Sequence, residues 1–210
     1  NDSYSTSSPA KKLGLTNAQQ YAELRNESST NAGGNLIFDD PALLGEGTDW
    51  QDQIFNNAAK RQNHELRISG GNDISTFYTS FGYWNQEGIV ATDISNYERI
   101  NVRINSEHKV LKWLTFGENM GYTHQKSIGL GNTNSEFGGP LSSAINLDPV
   151  TPVIITDPIE ANSSPYSTQP GIMRDNFGNP YGISKWVGQE MSNPLAYMKT
   201  RLGNYGWSDD

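Results

Sequence analysis

The sequence predicts an all-β fold: an antiparallel meander that forms part of a transmembrane β-barrel, with short helices in long external loops. Apolar and polar residues alternate with a period of two over segments long enough to cross a membrane as strands. The connections between these segments alternate between short and long, as they do in membrane barrels. The mean hydropathy is −0.65, yet the chain contains 10 Tyr and 5 Trp. A barrel wall reconciles the two values, because only every second residue of a spanning strand must be apolar.

The first predicted hairpin follows a short helix. Leu66 and Ile68 point to one side of its first strand, between polar residues. The returning strand is aromatic, and its odd-numbered residues from Phe77 to Tyr83 share a face. Residues 70–73 (GGND) join the two strands, and we expect them to supply the positive φ angles of a tight reversal.

The second predicted hairpin comprises Tyr97–His108 and Trp113–His124, joined by a short turn. Its strands alternate in the same way, except that Glu118 falls among apolar neighbours. The four strands together predict one continuous apolar face that consists of Leu66, Ile68, Phe77, Phe81, Ile100, Val102, Ile104, Leu114, Phe116 and Met120. The opposite face is predicted to carry Arg67, Arg99, Arg103 and Asn119. We expect the apolar face to be exposed in this chain alone, because its solvent would be lipid.

The segment before the first hairpin is predicted to be loop with two short helices. Residues 1–9 are rich in Ser and Thr and show no periodicity, which indicates loop. Thr16 with Gln19 forms a capping-box pattern, which predicts a helix over residues 17–27.

The second predicted helix lies just before the first strand. Either Thr48 or Asp49 can cap its first turn. Trp50, Ile54 and Ala58 would then share one helical face.

Composition excludes several classes of function. The net charge of −8 argues against a nucleic-acid partner, because phosphate binding needs clustered Lys and Arg. With 0 Cys, the chain can form no disulfide, thiolate metal site or cysteine nucleophile. The 3 His lack metal-ligand spacing, and residues 175–179 lack the later bidentate Glu of an EF-hand loop. We therefore predict no metal site and no cofactor.

Catalysis is not predicted either. Hydrolytic chemistry needs paired carboxylates on a rigid frame. The pairs Asp49 with Asp52 and Asp148 with Asp157 exist, but a chain with Asp+Glu 23 contains such pairs by chance. We predict no catalytic residue and no enzyme.

Several spaced motifs carry a resemblance to a known family. They are GTDWQD from Gly47, FGYWNQEGIV from Phe81, KWLTFGENMGYT from Lys112 and GNYGWSDD from Gly203. Together they resemble the SusC-like (RagA-type) family of TonB-dependent outer-membrane transporters. The match runs in order through most of the chain, and residues 128–201 are the least distinctive part. We expect the chain to be a piece of a longer protein, since the plug and most of the barrel of such a transporter are missing from it.

The resemblance implies a function and a set of partners. It implies a segment of an importer in the cell outer membrane that takes up oligosaccharides or peptides as nutrients. Its partners would be outer-membrane lipid, a SusD-like surface lipoprotein, and the TonB complex, the last through parts of the protein absent here. The alternative is a soluble β-sheet carbohydrate-binding module, whose apolar face a second sheet would cover.

These expectations divide the chain into four parts. We predict an external loop with short helices over 1–62, four antiparallel barrel strands in two hairpins over 63–124, a long external loop over 125–203, and the start of the next barrel strand over 204–210.

The aromatic residues form two groups of candidates. Those at predicted strand ends would anchor at the membrane–water boundary: Tyr83, Trp84, Tyr97, Trp113 and Tyr122. Those in the long Gly- and Pro-rich loop would contact substrate or partner: Tyr166, Phe177, Tyr181 and Trp186. The alternative for the second group is that these rings form the small core of the loop itself.

Overall fold

The structure is a computed structural model that describes residues 1–129, 139–188 and 191–210. The chain divides into two compact units. The sheet unit consists of residues 1–9, 56–129 and 203–210. The loop unit consists of residues 10–55 and the described part of 130–202.

The sheet unit is a six-stranded antiparallel meander whose strands lie side by side in chain order. The strands are β1 (Asp2–Ser7), β2 (Ala59–Gly71), β3 (Ser75–Glu87), β4 (Asn96–Leu111), β5 (Leu114–Ile128) and β6 (Gly206–Asp209). The predicted antiparallel meander is therefore confirmed. A single 3₁₀ turn, Thr92–Ile94, lies in the β3–β4 connection.

The first strand was not predicted. We expected residues 1–9 to be loop, but Asp2–Ser7 pairs with β2 from Asp2 opposite His64 to Ser7 opposite Ala59. The expectation is wrong because strand formation here depends on the free edge of β2 and not on local pattern. A Ser/Thr-rich strand with all six residues exposed has no apolar face to alternate.

The turn between β2 and β3 is stabilised by side-chain hydrogen bonds and not by the predicted positive φ angles. None of residues 70–73 has a positive φ. Instead the Asn72 side-chain oxygen accepts hydrogen bonds from the backbone N–H groups of Ile74 and Ser75, both at 2.9 Å. The Asn72 N–H donates to the Ser75 carbonyl at 2.7 Å and completes the reversal. An asparagine side chain that imitates a backbone turn removes the need for a left-handed residue.

The strand register confirms the predicted faces. Residues opposite each other in an antiparallel sheet share a side, and Leu66, Phe81, Val102 and Tyr122 lie in one such row. All ten predicted apolar residues fall on that side, which we call the apolar face. The other side of β2–β5, with Arg67, Arg99, Arg103 and Asn119, is called the polar face.

The apolar face is exposed within this chain, as predicted. The side chains of Leu66 and Met120 are 58% and 59% exposed. Residues of the central strand β4, such as Ile104, are half-buried by their neighbours on β3 and β5. In the described part of the chain all six strands belong to one sheet, so no second sheet covers this face.

Glu118 lies on the apolar face, as its position in the pattern required. Its carboxylate accepts a hydrogen bond from the Ser106 hydroxyl at 3.0 Å. That hydroxyl also lies 3.1 Å from the Nε2 of His108, whose Nδ1 is 2.9 Å from the Ser75 hydroxyl. The glutamate therefore belongs to a local polar cluster and has partners on the face where it sits.

The long connections leave one end of the sheet and the short turns lie at the other. The chain leaves the sheet between β1 and β2, between β3 and β4, and between β5 and β6 at the same end. The turns at Asn72–Ile74 and at Lys112–Trp113 close the opposite end. This confirms the predicted alternation of short and long connections.

The loop unit is built from short helices. They are α1 (Ala18–Asn31), α2 (Trp50–Ile54), α3 (Pro140–Asn146), α4 (Pro158–Ala161) and α5 (Pro194–Arg201), with a 3₁₀ turn at Pro41–Leu44. Among the described residues, no helix combines the length and the apolarity needed to cross a membrane.

Both predicted helices form, with changes at their ends. The capping box of α1 is Asn17 with Gln20, one residue later than the predicted Thr16 with Gln19. Asp49 caps α2, and its carboxylate accepts the N–H groups of Gln51 and Asp52 at 2.9 and 3.2 Å. Ala58 does not share a face with Trp50, because α2 ends at Ile54.

Candidate functional site

The polar face of the sheet is lined by hydrogen-bonding side chains. Asn63, Asn101, Asn105 and Asn119 supply amides, and Ser80 supplies a hydroxyl. These residues lie on the polar face because the side chains of a strand point alternately to its two sides. The face can therefore bind polar molecules or polar protein surface across several strands.

Cationic groups stand among these amides. The guanidinium of Arg61 lies 4.2 Å from the ring centroid of Trp84, which is a cation–π contact. Arg67 forms an ion pair with Glu65, and its Nε donates to that carboxylate at 2.9 Å. Both contacts hold long cationic side chains against the sheet.

The membrane-interface candidates are divided between the two faces. Tyr83 and Tyr122 lie on the apolar face. Trp84 and Tyr97 lie on the polar face. Trp113 sits in the β4–β5 turn and is 80% exposed. Only the rings on the apolar face or in the turn therefore remain candidates for contact with lipid headgroups.

The two tyrosines on the apolar face direct their hydroxyls to acidic groups. Tyr83 donates to the Glu98 carboxylate at 3.1 Å, and Tyr122 donates to the Asp209 carboxylate at 2.9 Å. Asp209 also lies 2.6 Å from the Nδ1 of His124. An aromatic ring on an apolar surface with a hydrogen-bonded hydroxyl is the amphipathic arrangement that suits a polar–apolar boundary.

The GTDW motif joins two parts of the loop unit. The Trp50 indole is buried, and its N–H donates to the Asp148 carbonyl at 2.9 Å. The Thr48 hydroxyl donates to the Thr151 carbonyl at 2.9 Å. Gly47 has a φ of +68°, and a Cβ there would lie 2.3 Å from the Pro149 carbonyl oxygen. The motif therefore has a structural role that requires these residue types.

The acidic residues weighed for catalysis all have structural hydrogen bonds. Asp148 is buried, and its carboxylate accepts bonds from the Thr151 N–H at 2.8 Å, the Thr151 hydroxyl at 3.0 Å and the Ser184 hydroxyl. Asp49 caps α2, and Asp157 caps α4 by accepting the Ile159 N–H at 3.0 Å. Asp148 was not recognisable as buried from sequence, because Ser184 and Trp50, which also contact it, lie tens of residues away in the chain.

The four loop aromatics have different environments. Tyr166 is 3% exposed, packs with Ile155 and Ala161, and accepts the Ile183 N–H on its hydroxyl at 3.0 Å. The Trp186 ring packs against Phe38 with centroids 4.6 Å apart. These two rings therefore contribute to the packing of the loop unit, which was the alternative for the group.

Phe177 stands at the tip of a braced turn and is 91% exposed. The Asp175 carboxylate accepts the N–H groups of Phe177 and Asn179, both at 2.8 Å. Partial burial raises the pKa of Asp175, but these bonds, the Asn179 amide and the charge of Lys199 together lower it below its usual range. The ring therefore projects from a turn that is held by an ionised carboxylate.

Tyr181 lines a cavity of about 500 Å³ together with Met173, Ile183 and Met191. The Nζ of Lys199 lies 5.9 Å from its ring centroid. Burial raises the pKa of the Tyr181 phenol, and the nearby carboxylate of Asp175 adds to the rise. Tyr181 is thus the loop candidate that combines partial burial with a neighbouring cavity.

A second cavity, of about 340 Å³, lies beside α1 and α2 and is lined by Tyr21, Glu46 and Asp49 among others. Burial raises the pKa of the Tyr21 phenol; Arg25 opposes the rise and Asp148 adds to it. In the described residues, no group of three His, Cys, Asp or Glu side chains converges to hold a metal ion.

Comparison with known proteins decides the family. Over 156 residues the chain is 31% identical to the TonB-dependent receptor SusC of Bacteroides thetaiotaomicron, a match that covers 73% of this chain and 14% of that protein. It is also 28% identical over 196 residues to the TonB-dependent receptor P3 of Formosa agariphila, covering 93% of this chain and 17% of that protein. The chain belongs to the SusC-like family of TonB-dependent receptors. No protein-family model matches it.

This SusC-like chain corresponds to a small part of its relatives. It spans 14% and 17% of the length of the two receptors. Among solved structures it is similar to the RagAB peptide transporter, with a TM-score of 0.49, 18% identity, and coverage of 66% of this chain and 18% of that one. The open–open state of the RagAB peptide importer has a TM-score of 0.48 and 22% identity, with coverage of 66% and 18%.

Proposed function

We propose that this SusC-like chain supplies wall strands and external loops to a TonB-dependent importer in the outer membrane. The importer would take up oligosaccharides or peptides with a SusD-like lipoprotein, driven by the TonB complex through other parts of the protein. The observation that carries the proposal is one sheet with two unlike faces, of which the apolar one is exposed. Lipid is the solvent for which such a face is suited.

The height of the apolar face supports this proposal. The apolar face extends from the row of Tyr83 and Ile100 to the row of His108 and Phe116, eight steps along β4, and the polar cluster around Glu118 lies near its turn end. At about 3.3 Å per residue these steps cover roughly 26 Å along the strand, or roughly 20 Å of height at a tilt near 40°. Turn residues such as Leu111 and Trp113 extend the band, whose expected height is about 25 Å.

The candidates for partner and substrate contact are in the loop unit. The projecting ring of Phe177 suits contact with a SusD-like lipoprotein, since an exposed aromatic on a braced turn loses little entropy on binding. Tyr181, beside its cavity, suits contact with cargo. Tyr166 and Trp186 would act by keeping the unit folded. We propose no enzymatic activity for this chain.

Paired cysteine labelling of the intact transporter tests the proposal. This chain has 0 Cys, so it contributes no background thiol. Met120→Cys on the apolar face and Gly121→Cys on the polar face are matched neighbours on β5. In cells, Met120→Cys should react with a lipid-soluble maleimide and resist a water-soluble one, whereas Gly121→Cys should react with a water-soluble maleimide small enough to enter the barrel.

The same experiment distinguishes the alternative. A soluble carbohydrate-binding module would place neither residue in lipid, so both cysteines, or whichever one is exposed, would react with the water-soluble reagent. Phe177→Cys tests the loop assignment separately, because an external loop is labelled by an impermeant maleimide on intact cells. Deletion of the SusD-like partner should then increase that labelling if Phe177 contacts it.

A further inference from the structure

The polar face has an excess of positive charge on a chain that is acidic overall. Between the first and last paired rows of β2–β5, it carries four arginines, one lysine and two glutamates. The whole chain has a net charge of −8. The arginines are therefore concentrated on the one surface that, under the proposed function, faces the lumen.

Two of these arginines have neither an anionic nor an aromatic partner. Arg61 stacks on Trp84 and Arg67 pairs with Glu65. For Arg99 and Arg103, no hydrogen bond or ion pair is found with the residues that the structure describes, and both side chains are exposed. They stand four residues apart on the same side of β4, roughly 13 Å along the strand.

The residues that flank Arg103 have small side chains and leave free space beside it. Its neighbours across the strands are Ser80 and Gly121. A Cβ added at Gly121 would meet no atom within 4 Å. A long cationic side chain above a floor of small residues leaves room for a ligand to lie against the sheet.

An unsatisfied acceptor lies in the next row of the same face. The side-chain oxygen of Asn105 is buried and has no hydrogen-bond partner among the described residues. Asn105 is flanked by Tyr78 on β3 and Asn119 on β5. A buried acceptor without a partner costs free energy, and because this oxygen is enclosed, a ligand can reach only the exposed amides beside it, such as Asn119.

We propose that the polar face binds anionic oligosaccharides through Arg99 and Arg103, an inference that rests on the proposed function. The guanidinium groups would pair with uronate or sulfate groups, in the bidentate geometry that suits arginine. The amides of Asn101 and Asn119 would bind sugar hydroxyls, and the ring of Tyr78 would stack on a sugar.

The combination of groups favours an acidic sugar over other ligands. A neutral oligosaccharide would satisfy the amides but leave both guanidinium groups unpaired. An acidic peptide would satisfy the guanidinium groups but offers fewer hydroxyl donors to the amides of this face. Charge complementarity together with amide and aromatic chemistry therefore points to an acidic oligosaccharide.

The test uses the intact transporter and three probes of similar length: neutral malto-oligosaccharide, oligogalacturonate and a sulfated oligosaccharide. Binding to the purified protein is measured at low and at high salt. The variant is Arg99→Gln with Arg103→Gln. The control is Lys60→Gln with Lys126→Gln, which removes the same charge from strands β2 and β5 on the apolar side.

We expect wild type to bind at least one anionic probe more tightly than the neutral one, with the preference reduced by salt. The arginine variant should lose about tenfold in affinity for that probe, or about 1.4 kcal/mol, while the control stays unchanged. The probe that responds, carboxylate or sulfate, identifies the anionic group. The inference is wrong if no anionic probe is preferred, if the arginine variant and wild type bind it equally, or if binding of neutral and anionic probes falls together. The last result would mean that the arginines pair with another part of the protein.

The cysteine labelling above separates this inference from the proposed function. If labelling places Met120 in lipid and the arginine variant has no effect, only the choice of cargo is wrong. If labelling shows that residue 120 is exposed to water, the proposed function is wrong, regardless of the result of the oligosaccharide-binding measurements.

Discussion

The substitution Ile104→Arg tests the membrane depth of the sheet most directly. Ile104 lies on the apolar face between Thr79 and Met120, four residues from Ile100 and four from His108. Four residues extend about 13 Å along a strand, or about 10 Å of height at a tilt near 40°. Ile104 is therefore equally distant from these two rows, and we expect it to lie near the middle of the membrane-facing band. The next row toward the turns contains Ser106 and Glu118, which form a hydrogen bond with each other.

An arginine near the bilayer midplane costs about 2–4 kcal/mol, and the cost falls to about 0–1 kcal/mol near the interfaces. We therefore expect Ile104→Arg to lower the free energy of unfolding by about 2–4 kcal/mol and Ile100→Arg to lower it by about 0–1 kcal/mol. Arg103→Gln, one residue away on the polar face, is the matched control and should change the stability far less.

The measurement is equilibrium unfolding of the intact transporter in phospholipid vesicles, with the folded fraction followed by its resistance to detergent at room temperature. Equal costs for Ile104→Arg and Arg103→Gln would refute the assignment of the faces. Equal costs for Ile104→Arg and Ile100→Arg would keep the faces but refute the position of the midplane.

Three further predictions concern the loop unit. Gly47→Ala should make this unit more sensitive to protease in the intact protein, because the added Cβ would lie 2.3 Å from the Pro149 oxygen at a φ of +68°; Gly14→Ala, whose Cβ would meet nothing within 4 Å, is the control. Tyr166→Phe should cost about 0.5–1.5 kcal/mol of local stability by removing the hydrogen bond from the half-buried Ile183 N–H, whereas Phe177→Ala should leave hydrogen exchange unchanged; a loss with Phe177→Ala alone would reverse these assignments. The pKa of Asp175 is lowered in the folded state, so its contribution to the turn is complete above the unfolded-state pKa and is lost as the pH falls through the folded-state pKa. Amide exchange at Phe177 and Asn179 should therefore speed up in acid relative to the intrinsic rate, and Asp175→Asn should remove that pH dependence.

The strands of the meander were predictable because their signal is local. Alternation at Ile100, Val102 and Ile104 assigns a face without knowledge of any partner strand. Pairing then places Leu66 and Phe81 in the same row, and a slip of one residue would move the apolar residues of one strand to the opposite face. The anomalous Glu118 could be placed on the apolar face, but its partner Ser106 could not be foreseen.

The predicted site residues also differ in whether local sequence or contacts in the folded chain determine their environment. Sequence identified Tyr166, Phe177, Tyr181 and Trp186 as one group, since aromatic residues in a long loop look alike in a linear pattern. Tertiary contacts separate them, because burial of Tyr166 depends on Ile155 and Ala161, and exposure of Phe177 depends on the turn around Asp175. By contrast, alternation alone places Trp84 and Tyr97 opposite the apolar residues of their own strands, and the register confirms it.

The sequence by itself determined the meander, its two unlike faces and the family, because period-two alternation and spaced motifs are properties of contiguous residues. Only the tertiary structure decided that Asp2–Ser7 is a strand, that Asp148 is buried under the GTDW motif, and that Arg99 and Arg103 stand unpaired. Each of these features depends on groups tens of residues away along the chain. A hydrogen bond such as that between Trp50 and the Asp148 carbonyl has no counterpart in local pattern, since folding alone brings its two groups together.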